Sequence, residues 1–529
     1  MASIRSKFAR VAVGTVLVAA LAAPAASQAP LVDYETSAKA AEVRAGAAWR
    51  LAFRPALGVL QQTVAQLRNA PGVPAATQAQ VDTLVQQAGG QPEPEARRTL
   101  WRAVVLLNGQ AWGPEQDLLG ALALRTPTPI WTGAADKLSL DALYPPAKAA
   151  GATYGVDLYA TEPTTSATPK KGALIRRVAA GRLTDRFPQP VAANLKGVAD
   201  GAYLLIASVG TGAAAKAEIV QPVYLVHDLD ARHAALKARL AHIAGHEEAK
   251  ALAEYPFALA EAVRAGKREI ISYDFPTAIA RSDRIVAALK AGHDEVRQAR
   301  GLQNRAYRLA PTGELVPFQV YVPSNWTPDR KWPLVVALHG ANLDETNMLG
   351  RDGGRMQKVA EQHGFVVVAP LGYRLNSAYG SERGMSRAIV GDQVERRQRS
   401  EQDVLQVIRI IQGEYNIDPR RQYLTGNSMG GGGTWWIGGR YPDMWAAIAP
   451  GAYGGVLPED APNLGRMPIL AVVGDKDELG MLDRVKASVA TLRAAGVNPE
   501  YLEVPGGTHS SAYERSVPAI FDFFEKHAK

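Results

Sequence analysis

The tightest constraint on what this chain can fold into is the run Tyr423-Leu424-Thr425-Gly426-Asn427-Ser428-Met429-Gly430-Gly431. In it a β-type segment breaks into Gly-Asn-Ser-Met-Gly and then into a glycine-rich helix start. A strand that turns abruptly into a helix crowds its own backbone, so the positions around the turn must be nearly free of side chains. The residue at the apex, Ser428, is then exposed. The helix N-terminus beneath it offers unpaired N–H groups and a partial positive charge to an oxyanion. This nominates Ser428 as a nucleophile. Gly and Ser are common, so the pattern alone is weak and its neighbours decide.

Upstream, Trp332-Pro333-Leu334-Val335-Val336-Ala337-Leu338 is an unbroken apolar run, the signature of a strand buried on both faces, and it ends in His339-Gly340-Ala341. The N–H groups of Ala341 and Met429 are the expected pair of oxyanion donors. Downstream, Pro468 to Gly474 reads as another buried strand and runs into Asp475-Lys476-Asp477. One of these two carboxylates is the expected acid; Asp477 is favoured because it sits further past the strand end, whereas Asp475 directly follows Gly474 and suits a turn cap. The last strand, Glu500 to Val504, leads through Pro505-Gly506-Gly507-Thr508 to His509, the expected base, and then to an amphipathic closing helix. Taken singly, each of these residues reads as a turn, cap or surface residue. Together they follow the chain order Ser, Asp, His of α/β-hydrolases, which differs from the orders of the chymotrypsin and subtilisin folds.

The region from about Arg305 to Lys529 resembles secreted esterases of the group that includes feruloyl esterases, acetyl xylan esterases and polyhydroxybutyrate depolymerases. The matching pieces are Pro333 to Gly340, Asp403-Val404, Tyr415-Asn416-Ile417-Asp418-Pro419, Gly426 to Gly431, Tyr441-Pro442-Asp443 and Gly507-Thr508-His509. They cover less than half of the chain. The resemblance implies a serine carboxylic ester hydrolase acting through an acyl-enzyme, with an ester substrate that is polymeric or derived from the plant wall. Two departures stand out: many relatives carry His or Leu where this chain has Asn427, and cysteines that this chain lacks. A serine peptidase of the prolyl oligopeptidase type is the alternative, since it uses the same fold and triad, but it predicts a β-propeller and no repeat of that period precedes the region. A binding protein on an inactive hydrolase fold conflicts with a complete triad. Candidate pocket residues are Tyr453, Tyr373 and Asn427; Trp435 and Trp436, on the first turns of the helix after Ser428, suit the core better.

Composition fits export. Arg5, Lys7 and Arg10 precede an apolar run from Val11 to Ala23 and the small-residue segment Pro24 to Ala29, the layout of a signal peptide over residues 1–27 and hence of a secreted or periplasmic protein. The run is too short to span a bilayer comfortably, so no stable membrane insertion is expected. With no cysteine in the sequence, disulfides, thiolate metal sites and a cysteine nucleophile are excluded. The formal charge of +8 falls by three, to +5, without the leader's basic residues, and the remaining ones are interspersed with acids, which argues against nucleic acid binding. No cofactor and no metal is expected. His242 and His246 are four apart on an expected helix face but lack a HExxH pattern.

Spacing divides the rest. Residues 28–126 read as a helical domain with Val59, Leu60, Val64, Leu67 and Leu100, Val104, Leu107 on apolar faces; residues 138–228 as a small β-sandwich-like domain; residues 229–302 as a helical linker bracing the hydrolase or partly covering its cleft; and residues 303–529 as the α/β-hydrolase catalytic domain. Gly210 to Lys216 evokes a phosphate loop but lacks the closing Gly-Lys pair, and a hairpin turn is expected there.

Overall fold

A computed structural model describes residues 57–529, apart from 71, 134–136, 150, 163–169, 211–216, 271–272, 311 and 383–392. The expected leader and the phosphate-loop-like stretch after Gly210 lie outside the described residues.

Helices α1 (Leu57–Arg68), α2 (Ala75–Ala88) and α3 (Glu93–Leu107) close around Leu60, Val64, Leu67, Val81, Leu100 and Val104. Leu60, Val64, Leu67, Leu100 and Val104 are among the positions read from the periodicity; Val59 is not buried, and Val81 adds a position that the periodicity does not mark. Helix α4 (Pro114–Ala121) follows, and the chain then turns to strands: β1 (Leu122–Arg125), β2 (Ile130–Trp131), β3 (Lys137–Ala142), β4 (Thr153–Glu162), β5 (Lys170–Arg182), β6 (Gln189–Ala192), β7 (Gly201–Gly210) and β8 (Ala217–Leu225). They make a three-stranded sheet, β1-β3-β6, and a five-stranded sheet, β2-β8-β7-β4-β5. Leu124, Leu140 and Val191 of the first share one core with Val156, Leu158, Leu205 and Val223 of the second, which is sandwich packing. The helical unit is shorter than expected: Leu122–Arg125 pairs with β3 and belongs to the sandwich.

Helices α5 (Leu229–Ala241), α6 (Glu247–Arg264) and α7 (Phe275–Lys290) pack around Leu236, Leu252, Phe257, Ile279 and Ile285, in a core that also takes in Tyr224 of β8 and Ala306 and Leu315 of the C-terminal unit. His242 and His246 do not share a helix: α5 ends at Ala241, and His246 turns to a positive φ of 58° and bonds Asp294 through its ring at 2.8 Å.

The C-terminal unit is an eight-stranded sheet in the order β16-β15-β14-β13-β11-β12-β10-β9. Its strands are β9 (Gly301–Arg308), β10 (Leu315–Val322), β11 (Trp332–Leu338), β12 (Val366–Pro370), β13 (Ile417–Asn427), β14 (Ala447–Gly451), β15 (Leu470–Gly474) and β16 (Glu500–Val504). From β12 to β16 neighbours run parallel, while β10 is antiparallel to both β12 and β9. The unbroken apolar run of β11 follows from helices on both faces. Leu334, Val336 and Leu338 point to α9 (Val394–Tyr415), α10 (Met429–Arg440) and α11 (Met481–Ala494); Val335 and Ala337 point to α8 (Asn347–His363) and α12 (Ser511–Glu525). This is an α/β-hydrolase fold preceded by helical and β-sandwich units. Among the described residues, no helix is long and apolar enough to cross a membrane.

A buried ion pair ties the units. Arg305 on β9, 1% exposed, bonds Glu414 of α9 at 2.9 Å and the Val296 carbonyl at 3.2 Å, with Glu248 of α6 at 3.6 Å. Removing one partner of such a pair strands a buried charge. Glu414→Gln is therefore expected to destabilise the fold by about 3 kcal/mol, read from thermal or urea melts; a shift below a few tenths would mean the pair is neutral.

Candidate active site

The site grows from the C-terminal ends of the parallel strands, where open α/β sheets leave a crevice. Ser428 stands alone between β13 and α10, at φ 58° and ψ −120°. Such a backbone costs a non-glycine residue about 1–3 kcal/mol, so its surroundings must hold it. They do: its N–H donates to the Gly451 carbonyl of β14 at 3.0 Å, and its carbonyl accepts from Gly432 at 3.0 Å. The flanking glycines are sterically required. A Cβ on Gly426 would come within 2.4 Å of the Gly430 carbonyl oxygen, and one on Gly430 within 2.0 Å of the Leu338 oxygen. The partly exposed Ser428 hydroxyl is thus presented at a turn that only small neighbours permit.

The turn after β11 abuts it, since a Cβ on Gly340 would lie 3.5 Å from the Ser428 Cβ. His339 fixes this turn. Its ring is fully buried, with Nδ1 2.8 Å from the Gly340 carbonyl and Nε2 2.7 Å from the Leu371 carbonyl, and burial holds its pKa below the usual imidazole value against those two bonds. Ala341 follows, half-buried, and among the described residues nothing accepts its N–H. Met429 is the first residue of α10, so its N–H has no partner within the helix.

Asp477 lies beyond β15 and His509 beyond β16. His509 Nδ1 is 2.8 Å from Asp477 Oδ2, and the Asp477 side chain is wholly buried. The other oxygen of Asp477 accepts the N–H groups of Leu479 at 2.9 Å and Met481 at 3.3 Å. Burial alone would push this carboxyl up; the His509 bond, its charge and the two backbone donors outweigh burial and hold it below the usual carboxylate range. An ionised carboxylate only accepts, so Nδ1 carries the proton and Nε2 keeps a lone pair. That Nε2 is buried and has no partner among the described residues. Asp475 makes no such contact, and its Oδ1 is buried and unpartnered.

Two supports escaped the sequence reading. Glu478 accepts the His509 backbone N–H at 3.0 Å, and Arg351, at a kink in α8, reaches the Ser510 carbonyl at 3.4 Å and Glu514 at 2.6 Å. Both are ordinary charged residues in sequence; only Glu478's place beside Asp477 offered a signal.

The pocket candidates separate. Tyr453 lies against Gly431 and Gly432 and, with Trp435 and Trp436, lines a cavity of about 360 Å³ beside α10. The Trp435 ring N–H donates to the Tyr453 carbonyl at 3.0 Å and that of Trp436 to Glu401 at 3.0 Å. Asn427 is 3% exposed and its Oδ1 has no partner. Tyr373 lines neither this cavity nor the larger one near it. Its hydroxyl donates to Glu314 at 3.1 Å and accepts from Arg399 at 2.9 Å, the Arg374 guanidinium sits 3.8 Å over its ring, and its N–H bonds Asp403 at 2.7 Å. Burial pushes the Asp403 carboxyl up to about 6 despite the Tyr307 hydroxyl it accepts. Tyr373 thereby anchors the loop after β12.

Comparison with known proteins adds the family. Residues 310–514 match the family model described as Esterase, “Putative esterase”. Over 131 residues the chain is 34% identical to the bifunctional acetylxylan esterase/xylanase XynS20E of Neocallimastix patriciarum, a match covering 25% of this chain and 17% of that protein. Among solved structures, a thermostable esterase aligns at 16% identity and a TM-score of 0.36, over 77% of this chain and all (100%) of its own. A ferulic acid esterase from Anaeromyces mucronatus, in complex with ferulic acid, aligns at 18% identity and a TM-score of 0.35, over 44% of this chain and 93% of its own. The strand order and the elbow after β13 make the C-terminal unit an α/β-hydrolase fold, and residues 310–514 of it are similar to the esterase family model.

Proposed function

We propose that this protein is a serine carboxylic ester hydrolase working by an acyl-enzyme, with Ser428 as nucleophile, His509 as general base and acid, and Asp477 as the group that orients and stabilises the imidazole. The observation that carries the reading is the 2.8 Å bond between His509 Nδ1 and the buried Asp477, which leaves Nε2 as the free basic nitrogen. In the first half-reaction Ser428 Oγ bonds to the acyl carbon while Nε2 takes its proton. The Ala341 and Met429 N–H groups receive the charge on the carbonyl oxygen. Collapse breaks the bond to the alcohol, which leaves with the proton from Nε2. Water then repeats the sequence: it gives a proton to Nε2, bonds to the acyl carbon and releases the acid and free Ser428.

The substrate class follows from similarity: acyl esters, including those on plant-wall polymers, supported by the acetylxylan esterase name of the curated relative, of whose length this chain spans 17%. Export through residues 1–27 belongs to the same proposal. The prolyl peptidase alternative predicts a propeller, whereas the described residues before the hydrolase unit hold a helical unit and sheets of three and five strands around one core.

A parallel panel of p-nitrophenyl acetate, methyl ferulate, acetylated xylan, polyhydroxybutyrate and a prolyl peptide tests this. Turnover of the esters over the peptide is expected; clear preference for the peptide would replace the ester reading.

A further inference from the structure

A cavity of about 640 Å³ lies where α6 and α7 meet the β9–β10 edge of the sheet and the loops that follow β11 and β12. Four guanidiniums and four carboxylates line it, but among the described residues they are not paired with one another. Arg374 is engaged by Glu314 at 2.7 Å, Arg305 by Glu414 at 2.9 Å and Glu269 by Arg396 at 3.4 Å. Asp274 caps α7 through the Thr277 N–H at 3.1 Å, and Asp344 accepts the N–H and hydroxyl of Thr346 at 3.0 and 2.6 Å.

Of the four lining guanidiniums, Arg268 and Arg281 form no ion pair with a described residue. Among the described residues, Arg268 donates to the Leu315 carbonyl at 2.8 Å and Arg281 to the Asn304 carbonyl at 3.2 Å, both neutral acceptors. Burial holds the Arg281 guanidinium below its ordinary pKa, against the opposing pull of the nearby Glu295 charge. Glu345 feels the Arg268 charge, but burial and then the neighbouring Asp344 charge push it up to about 8. Between these poles sit Tyr255 and Tyr273, edge to face at 5.9 Å, neither hydroxyl bonded to a described residue.

Guanidiniums held by neutral carbonyls and, for Arg268, by the Tyr255 face at 5.5 Å, together with phenol hydroxyls that bond no described residue, suit a planar ligand with one negative end. We propose that this cavity binds an organic carboxylate, its carboxyl group on Arg268 and Arg281 and its apolar body against Tyr255 and Tyr273. The site is distinct from the Ser428 crevice and does not rest on the ester hydrolase reading, because binding is measured with no ester present.

The test is isothermal titration calorimetry of the full chain near neutral pH with sodium benzoate, and with benzyl alcohol as its uncharged counterpart. Saturable benzoate binding is expected with Kd below about 1 mM, at least about tenfold weaker in Arg281→Gln, with no saturable heat from benzyl alcohol. Ala278→Trp fills the cavity from α7 and should abolish the benzoate heat, with far-UV circular dichroism verifying that each variant is folded. No saturation up to about 10 mM benzoate overturns the proposal. So does unchanged affinity in a folded variant, or equal binding of benzyl alcohol.

Discussion

Replacing Ser428 with alanine is expected to lower kcat on p-nitrophenyl acetate by about a million-fold, with KM changed little. The variant keeps the oxyanion donors and the Asp477–His509 pair, so a weak residual rate above that of water is expected. Alanine is also small enough for the crowded elbow, where Gly340 and Ser428 are in contact. Circular dichroism should therefore be unchanged. Retention of more than a small fraction of activity in the folded variant would remove Ser428 from the chemistry.

The second large effect separates the two aspartates. Asp477→Asn should cost about ten-thousand-fold in kcat, because the amide can accept from only one oxygen and favours the wrong imidazole tautomer. Asp475→Asn should stay within a few-fold of wild type, since Asp475 has no contact with His509. The same carboxylate carries a stability signature. Its pKa in the folded state lies below the unfolded value near 3.8, so its contribution is present above that pH and is lost as pH falls through the folded value. The stability advantage of wild type over Asp477→Asn should accordingly shrink in acid melts below about pH 4. A larger rate loss in Asp475→Asn than in Asp477→Asn would reverse the assignment.

What was legible in the sequence was local and periodic. The elbow, the two-sided burial of β11 and the strand preceding Asp477 follow from backbone crowding and apolar runs, and the structure forms each of them, with β15 beginning at Leu470. What was not legible depends on partners distant in sequence. Lys170–Arg182 is a strand despite its charges because it lies at a sheet edge, where most of its side chains remain in solvent. Ile417–Asn427 begins its strand through a polar Asp418-to-Gln422 stretch that periodicity does not mark. Tyr373 looked like a pocket residue because it follows a strand end, but the hydroxyl is claimed by Glu314 and Arg399 from other elements. The helices after residue 228 showed apolar faces at Leu236, Leu240, Ile285, Val286 and Leu289, but periodicity does not name the surface they close against, which includes Ala306 and Leu315 of the sheet edge. That Arg268 and Arg281 form no ion pair with a described residue is visible only once their neighbours are known.

The most direct measurement of the central claim is covalent. Treatment with diisopropyl fluorophosphate, followed by intact mass and peptide mapping, should place a single adduct on Ser428, with labelling slowed sharply in Asp477→Asn and absent in His509→Ala. An enzyme that hydrolyses esters yet takes no adduct at Ser428, or takes it on another residue, would contradict the account.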